Sequence, residues 1–116
     1  HWTGTAWASD TVDTGVREGI SLALDAAGNP HISYISWRLN YASWTDSQWS
    51  TEYVPATEGA DGFSSLALDR HGNPHISYYD ATDMALKYAT KYRGDWRCCP
   101  SGSPPRWCVQ VRTGRP

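Results

Sequence analysis

The sequence predicts an all-β chain made of two four-stranded antiparallel units. Three observations lead there. A fourteen-residue phrase occurs twice, SLALDAAGNPHISY at 21–34 and SLALDRHGNPHISY at 65–78, with twelve positions identical and an offset of 44. Within the phrase, apolar residues recur at every second position, the period of a strand and not of a helix. The composition agrees: seven Trp, seven Tyr, ten Gly and seven Pro among 116 residues mark many turns between short aromatic-rich strands.

The elements of one unit follow in order. In SLALD, Leu22 and Leu24 alternate with Ser21, Ala23 and Asp25, a first strand. DAAGN and DRHGN then read as tight turns, with Asp accepting hydrogen bonds from turn amides and Gly supplying a positive φ. Pro30 and Pro74 suit the first position of the next strand, where a missing donor is tolerated, and PHISY is that second strand. LNYAS (39–43) and LKYAT (86–90) form the third, now at an offset of 47, so the second copy holds three extra residues in the loop around YDATDM. A hairpin follows, WTDSQW at 44–49 and KYRGDW at 91–96, and WTGTAW at 2–7 is a third version of it. The fourth strand is WSTEYV after the closing Trp, and a fourth-type strand is expected near Trp7 as well.

Four antiparallel strands in a repeat of about 42 to 47 residues is the pattern of a β-propeller blade. The phrase LDxxGNPHISY resembles the strand–turn–strand signature of NHL-type propeller repeats. It is loosely similar to the Asp-box of sialidase-type propellers, although His31 and His75 stand where that box carries an aromatic residue. The resemblance covers roughly residues 2–97 and implies a fold class shared by enzymes, lectins and scaffolds. Residues 1–97 are thus expected to hold two tandem blades, about 7–44 and 49–90, with strands shared at the ends. Two blades do not close a ring. The chain is therefore expected to belong to a longer propeller or to self-associate through its blade edges, three copies giving six blades and four giving eight.

After Trp96 the repeat stops. Residues 98–116 form an atypical tail holding all three Cys (Cys98, Cys99, Cys108) and much of the Arg, as a shifted reading frame or a recombination joint near Arg97 would produce. RWCVQVR at 106–112 still alternates and suits one edge strand. Residues 1–90 carry four basic against eleven acidic side chains, a balance of −7, while residues 91–116 carry six against one, a balance of +5. The basic residues are spread through a Pro/Gly-rich stretch, so no nucleic-acid partner is expected. No apolar run approaches the roughly 20 residues of a spanning helix, and no leader is seen, so no membrane partner is expected and the compartment stays open. The tail lacks His, and three Cys fit neither a zinc site nor a paired framework, so no metal or other cofactor is expected.

His31 and His75 share a strand face with Ser33 and Ser77, which suggests a nucleophile and base. Each pair recurs at one place per unit, however, and structural hydrogen bonding is the expected role. Asp25, Asp69, Asn29 and Asn73 supply few oxygens for calcium and read as turn residues. Glu18, Glu58, Asp61, Asp80 and Asp83 fall in loops, with no spacing that singles out a catalytic pair. Trp7, Trp49 and Trp96 recur and are expected to pack. Trp37, Tyr53, Tyr79 and Trp44 are the candidate ligand-binding aromatics, since sugar faces and protein partners both stack on such rings. The expected function is a non-enzymatic binding or assembly module for carbohydrate or protein. The alternatives are part of a sialidase- or lyase-type propeller enzyme, or an orphan cassette with no retained activity.

Overall fold

Two-residue reversals set the shape of both repeats. At Asp46–Ser47 and Arg93–Gly94 both central residues have positive φ (51°, 64°, 52° and 83°). That is the backbone of a type I′ turn, whose twist matches the strands it joins. The computed structural model describes residues 1–98 and 111–112. It is all-β. The first sheet contains β1 (Glu18–Leu24), β2 (Pro30–Ile35), β3 (Leu39–Thr45) and β4 (Gln48–Tyr53), in that order and antiparallel throughout. The second contains β5 (Ala60–Leu68), β6 (Pro74–Asp80), β7 (Ala85–Tyr92) and β8 (Asp95–Cys98), also in order and antiparallel. A short β9 (Val111–Arg112) pairs with Leu86 and Ala85 of β7. The expected edge strand in the tail thus appears as these two residues. The rest of the tail, with Cys99, Trp107 and Cys108, lies outside the described residues. No helix among the described residues is long and apolar enough to cross a membrane.

The repeated phrase folds the same way twice. Asp25 Oδ1 accepts from the amides of Ala27 and Asn29, each at 2.9 Å, and Asp69 Oδ1 accepts from His71 at 2.9 Å and Asn73 at 3.0 Å. Gly28 and Gly72 close these turns at φ 86° and 80°, a region costly for any residue with a Cβ. The three extra residues of the second repeat also have a local reason. Asn40 Nδ2 ties down the short β2–β3 turn by donating to Ser36 Oγ and the Arg38 carbonyl. At the equivalent position, Lys87 Nζ donates to Asp80 Oδ2 at 2.8 Å and Asp83 Oδ2 at 2.6 Å, across the longer β6–β7 loop.

The two sheets pack face to face, and the core lies between them. Ile35, Leu39 and Tyr41 of the first sheet meet Ala60, Leu66, Ile76, Tyr78 and Ala89 of the second, with Val54 from the connecting stretch. The seam is also polar. Ser64 Oγ lies 2.8 Å from Ser33 Oγ and donates to the Gly19 carbonyl, and the Leu66 amide donates to Ser21 Oγ. Residues 1–17 form no strand. Trp2 and Trp7 make one isolated bridge, and Asp13 accepts the Tyr34 hydroxyl at 2.6 Å.

Candidate functional site

Each repeat builds an Asp–His–Tyr chain from three strands or turns. In the first, Asp25 Oδ2 lies 3.0 Å from His31 Nε2, and His31 Nδ1 lies 2.5 Å from the Tyr41 hydroxyl. In the second, the same distances are 3.0 Å for Asp69–His75 and 2.6 Å for His75–Tyr88. The rings stack alike, with centroids 5.9 Å apart in both. An ionised carboxylate only accepts, so His Nε2 donates to Asp; in a neutral ring Nδ1 then accepts from the tyrosine. The histidine bond, helped by the turn amides, holds Asp25 and Asp69 below the ordinary carboxylate value. Burial, and then the charge of Glu52, pushes Tyr41 up to about 12.

These histidines do not activate Ser33 or Ser77. Both ring nitrogens of each are engaged by Asp and Tyr, and Ser33 faces Ser64. The expected structural role of His31 and His75 is what the geometry displays. The tyrosine partners were missed in the sequence, although Tyr41 and Tyr88 recur in LNYA and LKYA at the third strand's offset of 47. Of the five carboxylates expected in loops, Glu18, Asp61 and Asp80 lie instead at the ends of β1, β5 and β6, where the strands run past the repeated phrase; Asp80 and Asp83 are bound to Lys87, and Glu18 Oε1 accepts from the Gly62 amide at 3.1 Å. Among the described residues no group of three or more His, Cys, Asp or Glu stands together as a metal site.

The candidate aromatics lie in separate places. Trp37 sits in the β2–β3 turn, 76% exposed, with the Arg17 guanidinium 4.5 Å from its ring. Tyr53, at the same end of the first sheet, carries Arg38 at 4.4 Å. Near them a cleft of about 240 Å³ is lined by Arg17, Trp37, Glu58, Asp61 and Thr82, among others. Trp44 lies at the other end of the sheet, paired edge-on with Trp49 and lining a groove with Leu22, Leu24 and Pro30. Tyr79 is on the far face of the second sheet, beside Phe63 and Leu86. Trp37 and Tyr53 share an end of the first sheet but carry different arginines, and only Trp37 lines the cleft; Trp44 and Tyr79 lie elsewhere.

The more telling feature is an asymmetry between equal positions. Leu66 is buried, 8% exposed, against the first sheet, whereas its repeat equivalent Leu22 is 61% exposed. Ser33 is fully buried in the seam, whereas its equivalent Ser77 is exposed. Each sheet thus has a front face, carrying Leu22 or Leu66, and a back face, carrying Ser33 or Ser77. Inside the chain, one front meets one back. Among the described residues, the front of the first sheet and the back of the second meet no other sheet. Trp96 on the buried front sets its ring edge-on to Tyr41 at 5.5 Å and donates from Nε1 to Glu52 Oε1 at 2.7 Å. Trp49, its equivalent on the open front, has a buried indole N–H with no hydrogen-bond partner. No family model, curated protein or solved structure matches the chain.

Proposed function

We propose that the chain is a non-enzymatic assembly and binding module of β-propeller type, whose two sheets are blades of a ring completed by further units of the same kind. One observation carries the reading: the front of the first sheet, with Ile20, Leu22 and Leu24 more than half exposed, corresponds to the face of the second sheet on which Leu66 is buried and Ser64 and Leu68 are half-buried. Exposed aliphatic rows of this kind favour covering, since each buried Leu contributes on the order of 2 kcal/mol. The repeated polar side chains support a structural assignment over catalysis, because they are spent on bonds within each unit.

The mass in solution tests this. Light scattering across a dilution series is expected to give a multiple of the 12.9 kDa chain, three copies for six blades or four for eight. A folded single chain at every concentration overturns the reading.

A second reading rests on the cleft beside Trp37, where an exposed indole, Arg17, Glu58 and Asp61 offer a stacking surface with polar groups of both signs. A saccharide or a protein loop suits that lining. A glycan array with Trp37→Ala as control tests it: a bound glycan lost in the variant supports the cleft, and binding unchanged by the variant removes Trp37 from the site.

A further inference from the structure

We infer that the back face of the second sheet is a preformed seat for the front face of the first sheet of a second copy, joined head to tail. The inference rests on the assembly reading above and names the partner, the two surfaces and their register. The contact inside the chain is its template. There, the front of the second sheet seats two knobs on the back of the first: Trp96 against Tyr41, and Ser64 between Ser33 and the Gly19 carbonyl. One repeat further on, the knobs are Trp49 and Ile20 of the second copy, and the seats are Tyr88 and the surface around Ser77.

Both seats exist. Tyr88 is held against His75 by the same hydrogen bond and ring stack that hold Tyr41 against His31, so the aromatic platform forms without an occupant. Beside it a pocket of about 230 Å³ is lined by His75, Tyr88, Tyr92 and Arg97, among others, where Trp96 fills the corresponding place on the first sheet. The second seat is a groove of about 420 Å³ bordered by Phe63, Ser77, Tyr79 and Leu86.

The substitutions between repeats match across the proposed contact. Inside the chain a polar knob, Ser64, enters a seat of Gly19 and Ser33 and hydrogen-bonds to both. In the outer contact the knob becomes Ile20, and the seat gains Phe63 in place of Gly19 and Tyr79 in place of Ile35. An apolar knob thus faces enlarged apolar walls, as a contact between unlike faces requires. The N-terminal segment touches the front at two places, Asp13 at the Tyr34 end and His1 beside the groove of Leu22, Leu24 and Trp44, and Ile20, Leu22 and Leu24 stay more than half exposed between them.

Complementation of two full-length variants tests the inference. Leu22→Asp blocks the front and Ser77→Asp blocks the back, both at exposed positions, and melting curves check the fold of each. Leu24→Asp and Ala67→Asp are a second pair should either fail to fold. A buried, unpaired carboxylate is expected to weaken its contact by roughly 100-fold or more. The wild type then associates, each variant alone is a single chain, and a 1:1 mixture gives dimers that grow no further, read by light scattering. Wild-type association in Ser77→Asp, or variants that do not pair on mixing, overturns the head-to-tail contact and leaves the assembly reading standing. A wild type that never associates overturns both.

Discussion

Trp96 Nε1 donates to Glu52 Oε1 across the seam at 2.7 Å, and Lys91 Nζ donates to Oε2 of the same carboxylate, also at 2.7 Å. One side chain of the first repeat thus fastens the closing hairpin of the second. Lys91 stands where the first repeat has Trp44. The Trp44–Trp49 edge-on pair therefore becomes a Lys91–Trp96 pair, with the ammonium 5.9 Å from the ring centroid.

Glu52→Ala removes both bonds and is expected to destabilise the chain by about 1–3 kcal/mol, since it leaves a part-buried indole N–H and an ammonium without their shared acceptor. Glu52→Gln, which keeps one acceptor, is expected to cost less. Urea denaturation measures both. Equal and negligible losses count against the seam as drawn.

Leu66→Ala and Leu22→Ala make the same chemical change at equivalent repeat positions. The buried Leu66 is expected to cost about 2–4 kcal/mol on truncation, while the exposed Leu22 costs within about 0.5 kcal/mol of fold stability in dilute, dissociated chains. Denaturation midpoints at low protein concentration compare them. Equal costs would mean that the two faces are not as differently covered as described.

The β3–β4 turn has room for improvement. Asp46 and Ser47 both hold positive φ, whereas the second repeat places Gly94 at the corresponding second position. Ser47→Gly is expected to stabilise by about 0.5–1 kcal/mol, by removing the Cβ strain of that conformation. A lower melting temperature than the parent would contradict the turn assignment.

The pH dependence follows from the ion pairs. Asp25 and Asp69 are held below the ordinary carboxylate value, chiefly by their histidines. Burial pushes Asp80 up, but the bond and charge of Lys87 together with the amides of Asp83 and Thr82 outweigh it and hold Asp80 below that value as well. Groups depressed in the folded state stabilise it above their unfolded value and lose that contribution as the pH falls through the folded one. Burial pushes Lys87 down, but the bonds to Asp80 and Asp83 and the charges of both carboxylates together outweigh it and raise the ammonium above its ordinary 10.5. Its contribution is complete below that value and lost as the pH rises past the folded one. Urea midpoints are expected to drop below about pH 4 and again above about pH 10.5. A flat acid limb would separate these carboxylates from stability.

Much of the fold was legible in the sequence because the repeat shows its own punctuation. LDxxGNP marks a turn and a strand start, and β1 to β7 fall where the alternation puts them. Which face is buried was not legible. Leu22 and Leu66 sit in the same local phrase, and only the presence of a neighbouring sheet decides between them. Near Trp7 the hairpin phrase yields a single bridge and no strand, since the described residues offer it no third-type strand to pair with. The Asp–His–Tyr chains needed distances between strands. The recurrence of Tyr41 and Tyr88 was a signal for them, but alternation alone reads both as ordinary core residues.

Hydroxyl-radical footprinting of the full chain, at low and at high concentration, tests the pairing of faces most directly. Leu22, Leu24 and Trp49 on one face are expected to gain protection together with Tyr88 and Tyr92 on the other as association proceeds. Protection of one face without the other, or of neither, would contradict that pairing.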